Sequence, residues 1–171
     1  LETGLSLLGD DRWSRRYDLT RALSEEAAEA AYLSTDFEGM ESLVEDTLTH
    51  AATVLDKVRV YEVKIGGYVA QNKMIEAVDA ALKILRDLGV KIPREPGKAH
   101  ILVGLLGTRF ALLKGVDDQR QMTDPVVLAR MRILAATVAP SYVAVPEIFP
   151  LLIFQMVVLP VPPGNPRLSP F

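Results

Sequence analysis

The sequence predicts an all-α fold, a short α-α superhelix built as a solenoid of antiparallel helical hairpins. Three observations carry that expectation. Apolar residues recur at steps of three and four, with no sustained alternation of period two, which favours helices over strands. The helical stretches are joined by turns of a few polar residues, which makes consecutive helices antiparallel neighbours. The pattern also repeats, because Phe37, Met40 and Val44 fall 37 residues before Met74, Ala77 and Ala81. A two-helix unit recurring at that interval has apolar surface on both broad sides, which neighbouring units must cover. About seven helices are expected, and no sheet.

In chain order, Leu1 to Leu8 reads as the end of an apolar helix and Gly9-Asp10-Asp11 as the break after it. A helix is expected from Arg16 to Leu33, with Leu19, Leu23, Ala27, Ala30 and Ala31 inward. Arg21, Glu25 and Glu29 follow at steps of four on its outer side. After the Thr35-Asp36 turn, Phe37, Met40, Val44, Leu48 and Ala51 mark the buried face of its partner, giving a hairpin over 16–52. The second hairpin, 54–92, has the clearest pattern. Val58, Tyr61, Ile65 and Tyr68 form one stripe, Gln71-Asn72-Lys73 the turn, and Met74, Ala77, Ala81, Ile84 and Leu88 the facing stripe. Glu76, Asp79, Lys83 and Arg86 line the opposite side, while Gly89 and Pro93 supply the stop.

Helices are expected again over 98–160. Lys98 to Lys114 is strongly apolar, and Asp117 to Arg120 is a polar connection. Met122-Thr123-Asp124-Pro125 is a helix start, with Thr123 or Asp124 as the cap and proline where its missing N–H is harmless. The helix that follows should bury Leu128, Met131, Leu134 and Val138 and stop near Pro140. Pro146-Glu147 opens a last helix ended by Pro160, Pro162 and Pro163, and 161–171 should be an irregular tail.

Composition narrows the function classes. The 171 residues are 49% apolar and 24% charged, which is globular and enough for one core or a short array. A net charge of −3 gives no basic surface for phosphates, so no nucleic-acid partner is expected. The absence of cysteine removes thiolate metal sites and cysteine nucleophiles and is compatible with a cytoplasmic location. The most membrane-like run, Tyr142 to Val161, contains Glu147 and is cut by Pro146, Pro150 and Pro160, so a buried terminal helix is expected instead of a span. Position 1 is not methionine, and the chain is expected to be a piece of something longer.

No catalytic or metal-binding constellation is expected, and no cofactor. His50 and His100 are the only histidines and stand fifty positions apart without carboxylates at ligand spacing. Gly66-Gly67 and the Gly104, Gly107 pair lie inside helical patterns, where close helix packing explains them better than phosphate binding. Glu38, Glu41 and Glu45 form an acidic stripe that reads as a solvated face. The candidate binding residues are those that the first helices of the two hairpins turn toward the inner groove: Glu25, Glu29 and Tyr32, then Arg59, Glu62 and Gly66. A tyrosine among charges suits peptide recognition, since its ring offers contact area at low entropic cost. The very apolar run Leu151, Leu152, Phe154, Val157 and Leu159 adds an expectation of self-association through the C-terminal helix.

The stretch from Ala31 to Pro93 resembles a tetratricopeptide pair. Phe37 and Met74 occupy the turn position, Met40 and Ala77 the small packing position, and the early tryptophan is absent from both. A narrower resemblance spans most of the chain, through the Trp13 and Tyr17 pair, the Tyr32-Leu33 to Asp36-Phe37 turn, the Leu88-Gly89-Val90 exit to Pro93, the Met122-Thr123-Asp124-Pro125 cap and the Gly164-Asn165 turn. Together these are similar to the tetratricopeptide-like region of large bacterial multidomain signalling proteins. The resemblance implies serine/threonine-kinase-like and AAA-type ATPase modules before the helical region, and GAF and sensor histidine kinase domains after it. It implies a non-catalytic coupling module making protein or interdomain contacts, with any kinase or ATP-binding chemistry of a two-component system lying outside this chain. Where such proteins continue the last helix to the Gly-Asn turn, Pro160, Pro162 and Pro163 should end it early.

Overall fold

Eight α-helices are present among the described residues of the computed structural model, which are 5, 8–9, 11–113 and 124–158. They are α1 (Arg12–Arg15), α2 (Tyr17–Leu33), α3 (Phe37–His50), α4 (Val54–Ala70), α5 (Met74–Asp87), α6 (Lys98–Leu113), α7 (Pro125–Ala144) and α8 (Phe149–Val158). A 3-10 turn, Pro146–Ile148, leads into α8. No strand occurs among the described residues, so the chain is all-helical. The predicted tail and the Asp117 to Arg120 connection lie outside these residues, as does most of the Leu1 to Leu8 segment.

Local chemistry sets the boundaries. Asp36 caps α3 by accepting the Gly39 N–H at 3.0 Å. Thr53 and Asp56 form a reciprocal capping box at the start of α4, each side chain taking the other's backbone N–H. Asp124, the second of the two proposed caps, accepts the Val126 N–H at 2.8 Å, with Pro125 as first residue of α7. The tight turns need left-handed residues, supplied by Thr35 and Asn72 at φ 62° and 60° and by Gly89 at 86°.

The α2/α3 and α4/α5 pairs form as expected, and α4 packs against both α2 and α3. This gives α4 neighbours on all sides, and its buried residues Val58, Val60, Tyr61, Val63, Ile65 and Gly67 exceed the single predicted stripe. Val58, Tyr61 and Ile65 enter the larger core with α5, α7 and α8, whereas Val60 and Val63 join Ala28, Met40 and Val44 in a smaller one. The charged face of α5 is exposed as predicted.

Several expectations are corrected. In α2 the buried positions are Thr20, Ser24, Ala27 and Ala28, while Leu19 and Ala30 face outward. The helix is rotated: Arg21, Glu25 and Glu29 lie on the α4 side, where Arg21 meets Asp56 and Glu29 meets Arg59, while Glu25 pairs with Arg21 of its own helix. α7 does not stop at Pro140; it runs on to Ala144 with Pro140 and Ser141 buried. Breaking a helix at an interior proline relieves about 3 kcal/mol, but stopping here would strip buried side chains from the core. Leu134 is buried as expected, but Leu128 is exposed and Met131 and Val138 half-buried; Ala129, Ile133 and Thr137 complete the buried face.

The third unit also differs. α7, not α6, lies against α4 and α5, while α6 packs on α8. α6 is apolar nearly all round, with Leu102, Val103, Leu105 and Leu106 exposed, so it has no single stripe to dock in the stack. Of the run expected to form an apolar surface on the C-terminal helix, Leu151 and Leu152 are buried and Phe154 and Val157 half-buried, while Leu159 lies outside the described residues. The stretch read as membrane-like divides, as far as Val158, into the end of α7, the 3-10 turn and the ten-residue α8, and its last three residues lie outside the described ones. α7 itself is the one helix among the described residues long and apolar enough to cross a membrane. A core helix meets the same test of length and composition, and α7 packs along α4 and α5.

Candidate functional site

The first helices of the two hairpins bring all six predicted groove residues onto one seam. Residues four apart on α2 lie one above another, so Arg21, Glu25 and Glu29 form a column that faces α4. Arg21 Nη1 donates to Glu25 Oε1 at 2.7 Å, and its Nε lies 3.7 Å from Asp56 Oδ1. One step along, Arg59 pairs with Glu29 across the helices and sits 3.8 Å from Glu62 on its own helix. Arg132 of α7 pairs with the same Glu62 oxygen. The result is a chain of charge, Glu29, Arg59, Glu62 and Arg132, that crosses three helices.

Above that chain the backbones approach closely. The Tyr32 ring covers Gly66, and a methyl added there would touch the ring at 3.5 Å, an ordinary contact. Met40 fills the space beside Gly67, where an added methyl would press into the thioether sulfur and lie 2.8 Å from its Cε. The position that carries alanine in the second hairpin, Ala77, carries methionine in the first. A glycine on the facing helix makes the room.

The other end of the seam is an anchor. Tyr17 accepts the Ala52 N–H at 2.8 Å and donates to Asp56 Oδ2 at 3.0 Å, the oxygen that also accepts the Thr53 N–H. Burial alone would raise the Asp56 carboxyl, but the hydrogen bonds from Thr53 and Tyr17 and the charge of Arg21 outweigh it and hold Asp56 below its ordinary value. Burial, reinforced by Asp56, raises the Tyr17 phenol. Burial would lower Arg21, but Glu25 and Asp56 overcome it and keep the guanidinium firmly protonated.

A second tie joins α1 to α3. Asp46 accepts from Arg12 Nη2 at 3.0 Å and from the Trp13 indole at 3.2 Å, while His50 stacks on Trp13 with ring centres 4.8 Å apart and planes 4° from parallel. His50 lies on the flank of α3, and the expectation that it has no carboxylate at ligand spacing is corrected by Asp46, one turn earlier, whose Oδ1 is 3.3 Å from its Nδ1. His100 stands at the start of α6, its Nδ1 accepting the Gly97 N–H at 3.2 Å. Glu38, Glu41 and Glu45 are exposed on α3.

Sequence reasoning missed Arg21 and Asp56 as cross-helix partners, and Arg132 altogether. Thr53-x-x-Asp56 is a legible capping signature. Arg132 gives a weaker signal: with Arg130 it is one of two charges in a twenty-residue apolar helix, and such charges require partners. Among the described residues no group of histidine and carboxylate side chains is arranged to hold a metal ion. No family model, curated protein or solved structure matches the chain.

Proposed function

We propose that this chain is a non-catalytic, tetratricopeptide-like coupling module of a bacterial signal-transduction protein, cytoplasmic, without a membrane span, acting through protein or interdomain contacts. The observation that supports this reading is the side-by-side placement of α2, α4 and α7, tied by Glu29, Arg59, Glu62 and Arg132. Successive hairpins laid with equivalent helices adjacent are the geometry in which a superhelical array transmits a displacement from one end to the other. The charged seam suits transmission better than open ligand capture, because each of its charges already has a partner within the molecule. Tyr32, half-buried beside Gly66, remains the groove residue suited to contact a partner segment.

The test begins with the parent gene, read on both sides of this segment. The reading expects kinase-like and ATPase modules before it and sensor modules after it. Titration of the purified chain with each encoded neighbour should then give saturable binding that Tyr32→Ala weakens and Glu45→Ala leaves unchanged. A parent without such modules, or neighbours that bind neither form, overturns the proposal.

A further inference from the structure

Away from the charged seam, α6, α8 and the 91–93 segment enclose a cleft of about 350 Å³. Its floor and walls are Ile92, Val103, Gly104, Leu151 and Phe154. Gly104 is what shapes it, because a side chain there would collide with Phe154, 2.5 Å from Cδ2, and the bare helix lets the ring approach α6 closely. Ile92 and Leu151 are nearly buried and give the cleft a dry base. The volume falls at the lower end of the range for small-molecule sites, which pair apolar walls with a few placed polar groups.

The polar lining of the cleft holds a cation and no anion. Lys91 contributes an ammonium, Gln155 an amide and His100 an imidazole, and no carboxylate is among the lining residues. The hydrogen bond from the Gly97 N–H to His100 Nδ1 makes that nitrogen the acceptor, which leaves the proton of the neutral ring on Nε2 as a donor. The first turn of α6 lies at the same edge and adds the positive end of its dipole. Apolar walls beneath cationic and donor groups are complementary to an apolar body that carries an anionic head.

We propose that the α6/α8 cleft binds a small amphiphilic carboxylate, such as a medium-chain alkanoate, with its chain against Ile92, Val103, Leu151 and Phe154 and its head at Lys91 and His100. The site is independent of the seam and of the coupling role proposed above. Calorimetric titration of the chain with octanoate, with octanol as the neutral control, is the experiment. Octanoate should bind with a saturable signal, at least about tenfold more tightly than octanol, the factor that one charge-assisted contact supplies. Lys91→Glu and Val103→Glu both alter exposed positions and should keep the thermal transition. Each should weaken octanoate by about tenfold or more, and Lys91→Glu should leave octanol unchanged. Equal affinity for octanoate and octanol, octanoate binding indifferent to both variants, or no octanoate signal at millimolar concentration overturns the proposal. So does a dimer whose formation closes the cleft and which octanoate does not dissociate.

Discussion

Replacing Gly67 with alanine is a test in which two known effects oppose each other. Alanine in a helix interior is favoured over glycine by about 0.8–1.0 kcal/mol, so a free position would gain stability. At Gly67 the new methyl meets Met40, pressing on the sulfur and lying 2.8 Å from Cε. Flexible side chains usually yield to such contacts, but Met40 is fully buried between α2, α3 and α4 and has no solvent to move into. Overpacking of this kind costs about 1–3 kcal/mol, so Gly67→Ala should be destabilising by up to about 2 kcal/mol net. Gly107 provides the control within the same molecule: contrary to the close packing expected of it, a methyl there meets nothing within 4 Å, and Gly107→Ala should stabilise by about 0.5–1 kcal/mol. Urea denaturation with unchanged slope reads both variants. Met40→Ala should cost about 2–5 kcal/mol alone, and combining it with Gly67→Ala should recover part of the loss, with about 1 kcal/mol or more of favourable coupling. Gly67→Ala stabilising as much as Gly107→Ala, or additive losses in the double variant, would refute the packing argument.

Ala77 is fully buried, so Ala77→Glu should lower the denaturation midpoint by the equivalent of several kcal/mol, whereas Glu76→Ala on the exposed face should stay within about 0.5 kcal/mol. Arg59→Glu and Glu29→Arg each place like charges across α2 and α4. Each should cost less than about 1 kcal/mol because both side chains are about a third exposed, and the double reversal should recover only part of the loss, since Arg59→Glu also sets a carboxylate beside Glu62. Asp56 is held below its ordinary value, so its contribution is present above about pH 4 and disappears as the pH falls through the folded value; Asp56→Asn should flatten the acid limb of stability. Tyr17 is raised, so its contribution is present below about pH 10 and disappears as the pH rises toward the folded value. Tyr17→Phe should flatten the alkaline limb, read by thermal melts across pH. Leu152→Lys should unfold α8 instead of relieving an exposed surface, which circular dichroism would report as lost helix.

The α4/α5 hairpin was readable in the sequence because each stripe on α5 has one neutral and one charged side. Ala77, Ala81 and Ile84 are buried, while Glu76, Asp79, Lys83 and Arg86 are exposed. α2 was misread because its charges looked like a solvated ladder, and nothing local reveals that Arg59 and Asp56 wait opposite. α7 escaped for the converse reason. A helix with apolar residues on every side carries no periodic signal of which face is buried, and its proline is retained by tertiary packing that a local rule does not contain. The six groove residues were placed on adjacent helices by counting alone, yet their mutual pairing, and its extension to Arg132, depends on contacts far apart in the chain.

The double membership of α4 bears on how this molecule comes apart. Val58, Tyr61 and Ile65 belong to one hydrophobic core and Val60 and Val63 to the other, on a single rod of seventeen residues. Neither hairpin can shed its partner without stripping one flank of that rod, so the two cores should melt in one cooperative step and not as separate foldons. A substitution that strips either flank of that rod should therefore weaken both cores together.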